Sequence, residues 1–341
     1  MGGAMKDTHG RTIDYLRVSL TDRCNLRCVY CMPAEGIQQV DHDQILRYDE
    51  ILAIVRVAAD LGVRRIRLTG GEPLVRKGVV GLIANIRAIS GIEDIALTTN
   101  GVLLARMAHD LKEAGLSRVN ISLDTLDPDK FAEVTRGGNV QDVLDGIDAA
   151  LEQGFDPVKV NAVAVRSLDQ DFYEFASMSR DRPLHMRFIE YMPVGDSAGM
   201  NGAGWGPQDV VSCDDIRMQV DAGAIAAGLE ALQPLQDEEK PEGGGPARYW
   251  KFPGAKGTVG FISPLSNHFC SACNRVRLTS KGGLRPCLFS DEEYPVRQAV
   301  RYGTEEDVRK VLEQTIGAKP EEHHEGDHAR ATATNMNAIG G

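Results

Sequence analysis

Two triplets of cysteines are the residues whose type and spacing point most directly to chemistry. The first is spaced C-x3-C-x2-C and the second C-x2-C-x13-C, and their members are Cys24, Cys28 and Cys31, then Cys270, Cys273 and Cys287. An iron–sulfur cubane contains four irons, and in an electron carrier each iron takes a cysteine thiolate. Three thiolates leave one iron open to a small molecule. Each triplet therefore indicates a reactive iron–sulfur site.

Zinc sites and disulfides are the other interpretations of these cysteines. A structural zinc site takes four ligands, and the first triplet has no fourth Cys or His close to it in the sequence. His268 precedes the second triplet and could complete a zinc site, so zinc stays open there. A disulfide framework is disfavoured in a long chain with seven cysteines and no signal peptide. The seventh cysteine, Cys213, is expected to be an ordinary buried or half-buried thiol.

The overall composition is that of a large soluble enzyme. Hydrophobic residues make up 42% of the 341 residues and charged residues 26%. No apolar run is long enough to cross a bilayer, so no membrane association is expected. The net charge of −11 argues against nucleic-acid binding. An anionic substrate would instead need a local cluster of arginines. We expect a reducing compartment, the cytoplasm, which iron–sulfur chemistry also requires.

The middle of the sequence repeats one pattern, in which an apolar strand-like run is followed by a turn and an amphipathic helix. Six strands are predicted, at 16–20, 65–69, 95–99, 119–123, 158–163 and 185–190. Five helices are predicted, at 49–61, 78–89, 102–114, 140–153 and 169–180. Three of them are expected to end at Gly62, Gly115 and Gly154. The alternation predicts an α/β fold with a parallel sheet.

Six such units predict a partial (β/α)6 barrel of TIM type, open on one side, within residues 1–236. Residues 237–341 are predicted to form a C-terminal extension that carries the second triplet. The segments 197–206 and 237–246 are rich in glycine and are predicted to be loops. In (β/α) barrels the carboxyl ends of the strands carry the chemistry. Polar residues collect at four such ends, at 69–73, 98–101, 122–124 and 190–192.

The first triplet resembles the cluster motif of the radical S-adenosylmethionine (SAM) superfamily, because Met32-Pro33 follows its C-x3-C-x2-C spacing. Gly70-Gly71-Glu72-Pro73, one strand later, resembles that superfamily's GGE segment. The partial barrel resembles its fold. The resemblance implies a 4Fe–4S cluster whose open iron chelates SAM. Reductive cleavage of SAM would then release a 5′-deoxyadenosyl radical.

The sequence from Phe269 resembles a more specific family, the GTP 3′,8-cyclases of molybdenum-cofactor biosynthesis. The resemblance covers 269–278 and 284–289, and extends to 16–24, 66–73, 187–190 and the terminal Gly340-Gly341. It implies that GTP is cyclised to (8S)-3′,8-cyclo-7,8-dihydroguanosine 5′-triphosphate, the first step of that pathway. It also implies that Gly340 and Gly341 enter the active site and help to set its geometry.

The resemblance implies a role for each matching residue. The first triplet would hold the SAM cluster, and the second triplet a further 4Fe–4S cluster whose open iron binds guanine. SAM would contact Tyr30, Gly71, Ser122 and Met192. GTP would contact Arg17, Arg67, Thr98, Lys159, Arg275 and Arg277, and Arg17 is also implicated in catalysis.

The arginines agree with a triphosphate substrate on physical grounds, since a guanidinium suits phosphate oxygens better than an ammonium does. Arg17 and Arg67 each interrupt a run that should be buried in a parallel sheet. Arg187 is a further candidate of the same kind. A surface ion pair is the alternative for Arg277 and stays open.

Partners and rival functions follow from the same resemblance. Expected partners are a reductant such as flavodoxin or ferredoxin, and the pyranopterin monophosphate synthase that takes the product, and a homodimer is possible. One rival is another radical SAM enzyme with an auxiliary cluster, such as a peptide maturase. The non-enzymatic rivals are an iron–sulfur electron carrier and a zinc-stabilised binding module.

Overall fold

The computed structural model describes residues 5–37, 41–192, 205–243 and 245–322. Most of the predicted loop 197–206 and the terminal Gly340-Gly341 lie outside these residues. Within the described part of the chain, no helix is long and apolar enough to cross a membrane.

Six parallel strands form the centre of one sheet and follow chain order. They are β1 (Tyr15–Ser19), β2 (Arg65–Thr69), β3 (Asp94–Thr99), β4 (Arg118–Ser122), β5 (Val158–Ala164) and β6 (Leu184–Glu190). Each observed strand begins and ends within one residue of its predicted bounds, so the strand predictions are confirmed. The predicted partial α/β barrel is confirmed as well.

Helices connect these strands and cover the outer face of the sheet. They are α1 (Tyr48–Asp60), α2 (Val79–Arg87), α3 (Leu104–Glu113), α4 (Pro128–Thr135), α5 (Val140–Glu152) and α6 (Phe172–Asp181). The prediction missed α4, an eight-residue helix whose N-cap Asp127 accepts from two backbone amides. Helix α6 begins three residues later than predicted, because the Asp171 side chain caps it by accepting from Glu174 N.

The two faces of each strand have opposite chemistry. Leu16 and Val18 of β1 are fully buried in the core against the helices. Tyr15 and Arg17, which alternate with them, line a cavity on the inner face. This alternation continues in β2, where Ile66 and Leu68 belong to the core and Arg67, between them, lines the cavity. The inner face of β1 and β2 therefore carries polar and charged side chains, where an ordinary TIM barrel has layers of aliphatic ones.

The remaining elements come from the C-terminal part of the chain, and the strands among them extend the same sheet. They are α7 (Cys213–Ala226), β7 (Gln233–Pro234), β8 (Arg248–Lys251), β9 (Thr258–Ile262), β10 (Arg275–Leu278), β11 (Gly283–Arg285), β12 (Tyr294–Pro295), α8 (Val296–Tyr302) and α9 (Glu305–Gly317). Cys213, expected to be buried or half-buried, is buried. The predicted loop 237–246 contains one short 3-10 helix, Asp237–Glu239, and otherwise no regular structure among its described residues.

The extension adds a parallel strand to each edge of the six-stranded centre. Strand β9 pairs with β6, and β10 pairs with β1, both in the parallel sense. The sheet order is β12-β11-β10-β1-β2-β3-β4-β5-β6-β9-β8-β7. The extension therefore completes the sheet on both sides. The division into 1–236 and 237–341 stays a prediction.

A chain that ends at residue 236 tests the importance of this pairing. It would leave β1 and β6 with unpaired backbone groups along both edges, which promotes aggregation. We expect the fragment to aggregate and to show no cooperative thermal transition, whereas a chain ending at residue 322 melts cooperatively. Size-exclusion chromatography and circular dichroism check this, and a monomeric fragment that melts within a few degrees of the full chain would contradict it.

Candidate active site

A cavity of about 360 Å³ occupies the concave side of the sheet. Fifteen of the sixteen predicted site residues line it: Arg17, Cys24, Cys28, Tyr30, Cys31, Arg67, Gly71, Thr98, Ser122, Met192, Cys270, Cys273, Arg275, Arg277 and Cys287. The exception is Lys159. The structure thus brings residues from both ends of the chain into one site, and their individual roles stay predictions.

The two triplets lie at opposite ends of the strands. The first follows the carboxyl end of β1. The second flanks β10 and β11: Cys273 precedes the start of β10, which is parallel to β1, and Cys287 follows the end of β11, which is antiparallel to β10. Cys273 and Cys287 are therefore close to the amino ends of the barrel strands. All six cysteines are free thiols, and the cavity extends between the two sets.

Backbone hydrogen bonds fasten the first cysteine loop to the segment after β2. Gly71 N donates to Thr21 O at 2.7 Å, and Glu72 N donates to Arg23 O at 2.8 Å. A Cβ on Gly71 would lie 2.4 Å from the Arg23 carbonyl oxygen, and one on Gly70 2.4 Å from the Thr21 carbonyl oxygen. Both glycines are thus required for the close approach of two backbones, whatever their contacts with a cofactor.

Glu72 points into the protein, where its side chain is fully buried. Its carboxylate accepts from Leu74 N and Thr99 Oγ1, both at 2.9 Å, and from Asn100 N at 2.7 Å. Burial raises the pKa of Glu72 to about 7, against these hydrogen bonds. Asn100 Nδ2 lies 3.6 Å from Cys24 Sγ, so Glu72 positions a donor beside the first triplet. The sequence signal for Asn100 was only its place at a strand end.

An aromatic group borders the same triplet. The Tyr30 hydroxyl donates to Asp124 Oδ2 at 2.6 Å, and Asp124 Oδ1 accepts from Val163 N at 2.9 Å. The Tyr30 ring stacks on Trp205 with centroids 5.7 Å apart. Burial, with Asp124 close by, raises the pKa of Tyr30 well above its ordinary value, so the phenol stays neutral. The stacking partner Trp205 was not predicted.

Positive charge accumulates in the middle of the cavity. Arg17 is in register with Arg67 on one side and Arg277 on the other. Burial, together with Arg277 and Arg67, lowers the pKa of Arg17 well below its ordinary value. Tyr15 was not predicted; its hydroxyl accepts from Arg67 Nε at 2.5 Å and so orients that guanidinium. These cations repel one another unless an anion is bound between them.

Several polar atoms at the cavity lack partners. Among the described residues, no hydrogen bond reaches four buried atoms, which are Thr98 Oγ1, Asn161 Oδ1, Arg187 Nε and Arg275 Nε. Buried polar groups are almost always hydrogen-bonded in native proteins. The two guanidinium Nε atoms and the Thr98 hydroxyl can donate to an anionic ligand, whereas Asn161 Oδ1 requires a donor such as a hydroxyl or amino group.

Lys159 is buried beside the cavity. Its Nζ donates to Glu242 O at 2.6 Å, so the loop 237–246 covers it. Burial, with Arg187 and Arg118 close by, lowers the pKa of Lys159 to about 6. An anion that reached Lys159 would have to displace the Glu242 carbonyl.

The second triplet lies in a cationic environment. Burial alone would raise the pKa of the Cys273 thiol, but Lys319 and Arg275 hold it below its ordinary value. Lys319, which lines the cavity, was not predicted from the sequence. His268, the candidate zinc ligand, has Nε2 3.6 Å from Glu322 Oε2. Within the described ranges no three Cys, His, Asp or Glu side chains are grouped so as to hold a single metal ion.

Comparison with known proteins assigns this site to a family. A family model described as "Radical SAM superfamily" matches residues 18–178, and one described as "Molybdenum Cofactor Synthesis C" matches 184–325. The GTP 3′,8-cyclase of Pelotomaculum thermopropionicum is 49% identical over 322 residues, 94% of this chain and 95% of that protein. That of Desulforamulus reducens is 46% identical over 340 residues, 99% of this chain and 100% of that protein. The chain belongs to the GTP 3′,8-cyclase family.

Solved structures agree on the fold of this GTP 3′,8-cyclase family member. Streptococcus suis SuiB bound to S-adenosylmethionine has a TM-score of 0.56 at 14% identity, covering 87% of this chain and 66% of that chain. The anSMEcpe structure with bound AdoMet has a TM-score of 0.54 at 15% identity, covering 91% and 78%. These likenesses show the fold. Membership in the radical SAM superfamily implies one 4Fe–4S cluster and SAM, which three free thiols at the cavity wall fit.

Gly71→Ala tests how the first cysteine loop is held. The added methyl group would collide with the Arg23 and Asp22 carbonyl oxygens, at 2.4 and 2.7 Å. We expect the loop to shift and the protein to lose about half or more of the iron bound at the first triplet. Gly81→Ala is the matched control, because nothing lies within 4 Å of its Cβ, in helix α2. Both variants are made with Cys270, Cys273 and Cys287 changed to Ala, and iron per chain is measured after anaerobic reconstitution. Equal iron in both would contradict the expectation.

Proposed function

We propose that this protein cyclises GTP to (8S)-3′,8-cyclo-7,8-dihydroguanosine 5′-triphosphate by radical SAM chemistry, the first step of molybdenum-cofactor biosynthesis. The observation that carries the proposal is one cavity with a cysteine triplet at each end and arginines between them. Relatives named GTP 3′,8-cyclase, 45–49% identical over nearly the whole chain, support it.

The first triplet and its surroundings form the radical-generating end of the proposed site. Cys24, Cys28 and Cys31 would hold a 4Fe–4S cluster with one iron open to SAM. The chemistry supplied there when cluster and SAM are bound is reductive cleavage to a 5′-deoxyadenosyl radical. Tyr30, whose hydroxyl donates a hydrogen bond to Asp124, would contact bound SAM. Gly71, Ser122 and Met192 are the further proposed SAM contacts.

The cationic middle of the cavity is the proposed GTP site. Arg17, Arg67, Arg275 and Arg277 would surround the triphosphate, and Thr98, with its unpartnered hydroxyl, would donate to the nucleotide. The repulsion among these cations in the free protein is relieved when phosphate charge is bound. Holding the ribose between the two triplets would orient its C3′ hydrogen toward the radical and exclude water and other quenchers.

The second triplet is proposed to hold a second 4Fe–4S cluster. Cys270, Cys273 and Cys287 again provide three thiolates, and the open iron would bind guanine at the far end of the nucleotide. Arg275 and Lys319, beside Cys273, favour its thiolate form, which is the form that binds iron. Zinc with His268 is the alternative that metal analysis of the purified protein would decide.

Other parts of the proposal rest on the family resemblance alone. These are the flavodoxin- or ferredoxin-like reductant, transfer of the product to pyranopterin monophosphate synthase, a homodimer, and entry of Gly340-Gly341 into the site. A peptide maturase is less well supported. The likeness to SuiB and anSMEcpe, at 14% and 15% identity, shows the fold alone, and the cavity is rich in arginine. An electron carrier would not need this cavity.

Anaerobic incubation with SAM, dithionite and GTP deuterated at C3′ tests the function. We expect an isomer of GTP, separable by chromatography, and 5′-deoxyadenosine that carries the deuterium. Cys28→Ala should abolish both products. Cys273→Ala should still release some 5′-deoxyadenosine but no cyclised nucleotide. Cys213→Ala, which alters a buried thiol outside the cavity, should retain both. Unlabelled 5′-deoxyadenosine with unchanged GTP in the wild type would overturn the proposal.

Lys159 gives the GTP site a pH dependence. Its pKa is about 6 in the free protein, so the amine is neutral at pH 8, and triphosphate close to it would raise that pKa. More protons are then bound in the complex than in the free protein, so GTP binding takes up a proton and affinity falls as pH rises above 6.

Calorimetry at pH 8 in two buffers of different ionisation enthalpy measures this uptake. We expect a fraction of a proton up to one proton per GTP in the wild type and none in Lys159→Met. Lys77→Met, at an exposed position, is the control and should retain the uptake. Equal proton uptake in the Lys159 variant would contradict its proposed contact with GTP.

A further inference from the structure

Two cations from distant parts of the chain hold the second cysteine triplet through backbone carbonyls. Lys319 Nζ donates to Arg275 O at 2.9 Å and to Pro286 O at 2.8 Å. Arg11 Nη1 donates to Cys270 O at 2.8 Å. Lys319 thus fixes the chain two residues after Cys273 and one residue before Cys287. Arg11 binds the backbone carbonyl of the remaining cysteine, Cys270.

Arg11 also binds the segment that carries Lys319. Arg11 Nη2 donates to Pro320 O at 2.6 Å, and Nη1 donates to Glu321 O at 2.8 Å. Asp7 orients Arg11, because its Oδ2 accepts from Arg11 Nε at 2.5 Å. Lys319, Pro320 and Glu321 are consecutive, so the segment after helix α9 is bound to the triplet from both sides. We name the cations Arg11 and Lys319, with the Asp7 carboxylate that orients Arg11, the cation clamp.

The charge of Lys319 is poorly compensated by protein groups. Its residue is 3% exposed, and within the described ranges it makes no ion pair with a carboxylate. Its Nζ donates to two neutral carbonyls and lies beside the Cys273 thiol, and a buried ammonium in these surroundings is costly unless negative charge lies close by. Three cysteine thiolates bound to iron would provide that charge. A plain structural tether would need a donor at this position but no positive charge.

We propose that the cation clamp positions the second triplet for cluster binding, and that the Lys319 charge stabilises the reduced state of that cluster. The inference rests on the proposed function, because it takes the triplet as the site of an iron–sulfur cluster. Reduction adds one negative charge to a cluster beside a buried cation, so the cation favours the reduced form. Lys319 acts through the cysteine loops and the local field, and is a positioning residue.

The test uses the full chain with Cys24, Cys28 and Cys31 all changed to Ala, so that only the second triplet can bind a cluster. Three variants are compared in this background. Lys319→Met removes donor and charge, Lys319→Gln keeps a donor without charge, and Lys319→Arg keeps both. Lys310→Met, at an exposed position on helix α9, is the control. Iron per chain and redox titration by electron paramagnetic resonance are measured after anaerobic reconstitution.

We expect Lys319→Met and Lys319→Gln to decrease the ratio of reduced to oxidised cluster about tenfold at a fixed potential, equivalent to about 59 mV for one electron. Lys319→Arg and Lys310→Met should remain close to the parent. Lys319→Met should also lose iron faster to a chelator than Lys319→Gln does. Parent-like potential and iron retention in both uncharged variants would overturn the clamp and leave the proposed function intact. A parent that binds zinc, or no iron, would overturn the clamp together with the second-cluster part of the proposed function.

Discussion

Positive charge buried on the concave side of the parallel sheet is the constraint on which the rest of this structure depends. Arg277, Arg17 and Arg67 lie side by side on three neighbouring strands, in register. Clustered cations in a buried site destabilise a fold unless anions offset them. The apolar outer face of the same strands, packed against the helices, supplies the stability that makes such an interior tolerable. The interior is thus preorganised for a polyanionic ligand.

The two ends of the barrel meet the need for precise cysteine placement in different ways. At the carboxyl ends of the strands, backbone hydrogen bonds that Gly71 permits hold the cysteine loop to the segment after β2. The Glu72 side chain accepts from Asn100 N, and the Asn100 side chain lies beside Cys24. At the amino ends, charged side chains hold the cysteines in place. Arg11 binds the backbone carbonyl of Cys270, and Lys319 binds two carbonyls close to the other two cysteines of the second triplet. The first triplet therefore has the buried carboxyl groups of Glu72 and Asp124 near it, whereas the second has a cation next to it.

The C-terminal extension is inseparable from the barrel in physical terms. Strands β9 and β10 satisfy the backbone groups at both edges of the six-stranded centre, and the chain that joins them carries two of the second triplet's cysteines. The same part of the chain therefore both extends the sheet at its two edges and forms the far end of the cavity. This explains why residues more than two hundred positions apart, such as Arg17 and Arg275, line one site.

The sequence by itself determined the six strands, most of the helices and both cysteine sets, because hydrophobic period and cysteine spacing are local properties. It also marked Arg17 and Arg67, since a cation in an otherwise apolar strand is conspicuous. Only the tertiary structure decided that the triplets occupy opposite ends of one cavity, since that depends on which strand β10 joins. No local pattern marks Lys319, because its partners are backbone carbonyls 33 and 44 residues away along the chain. Every residue has such a carbonyl, and only the folded chain selects which ones a buried cation can reach.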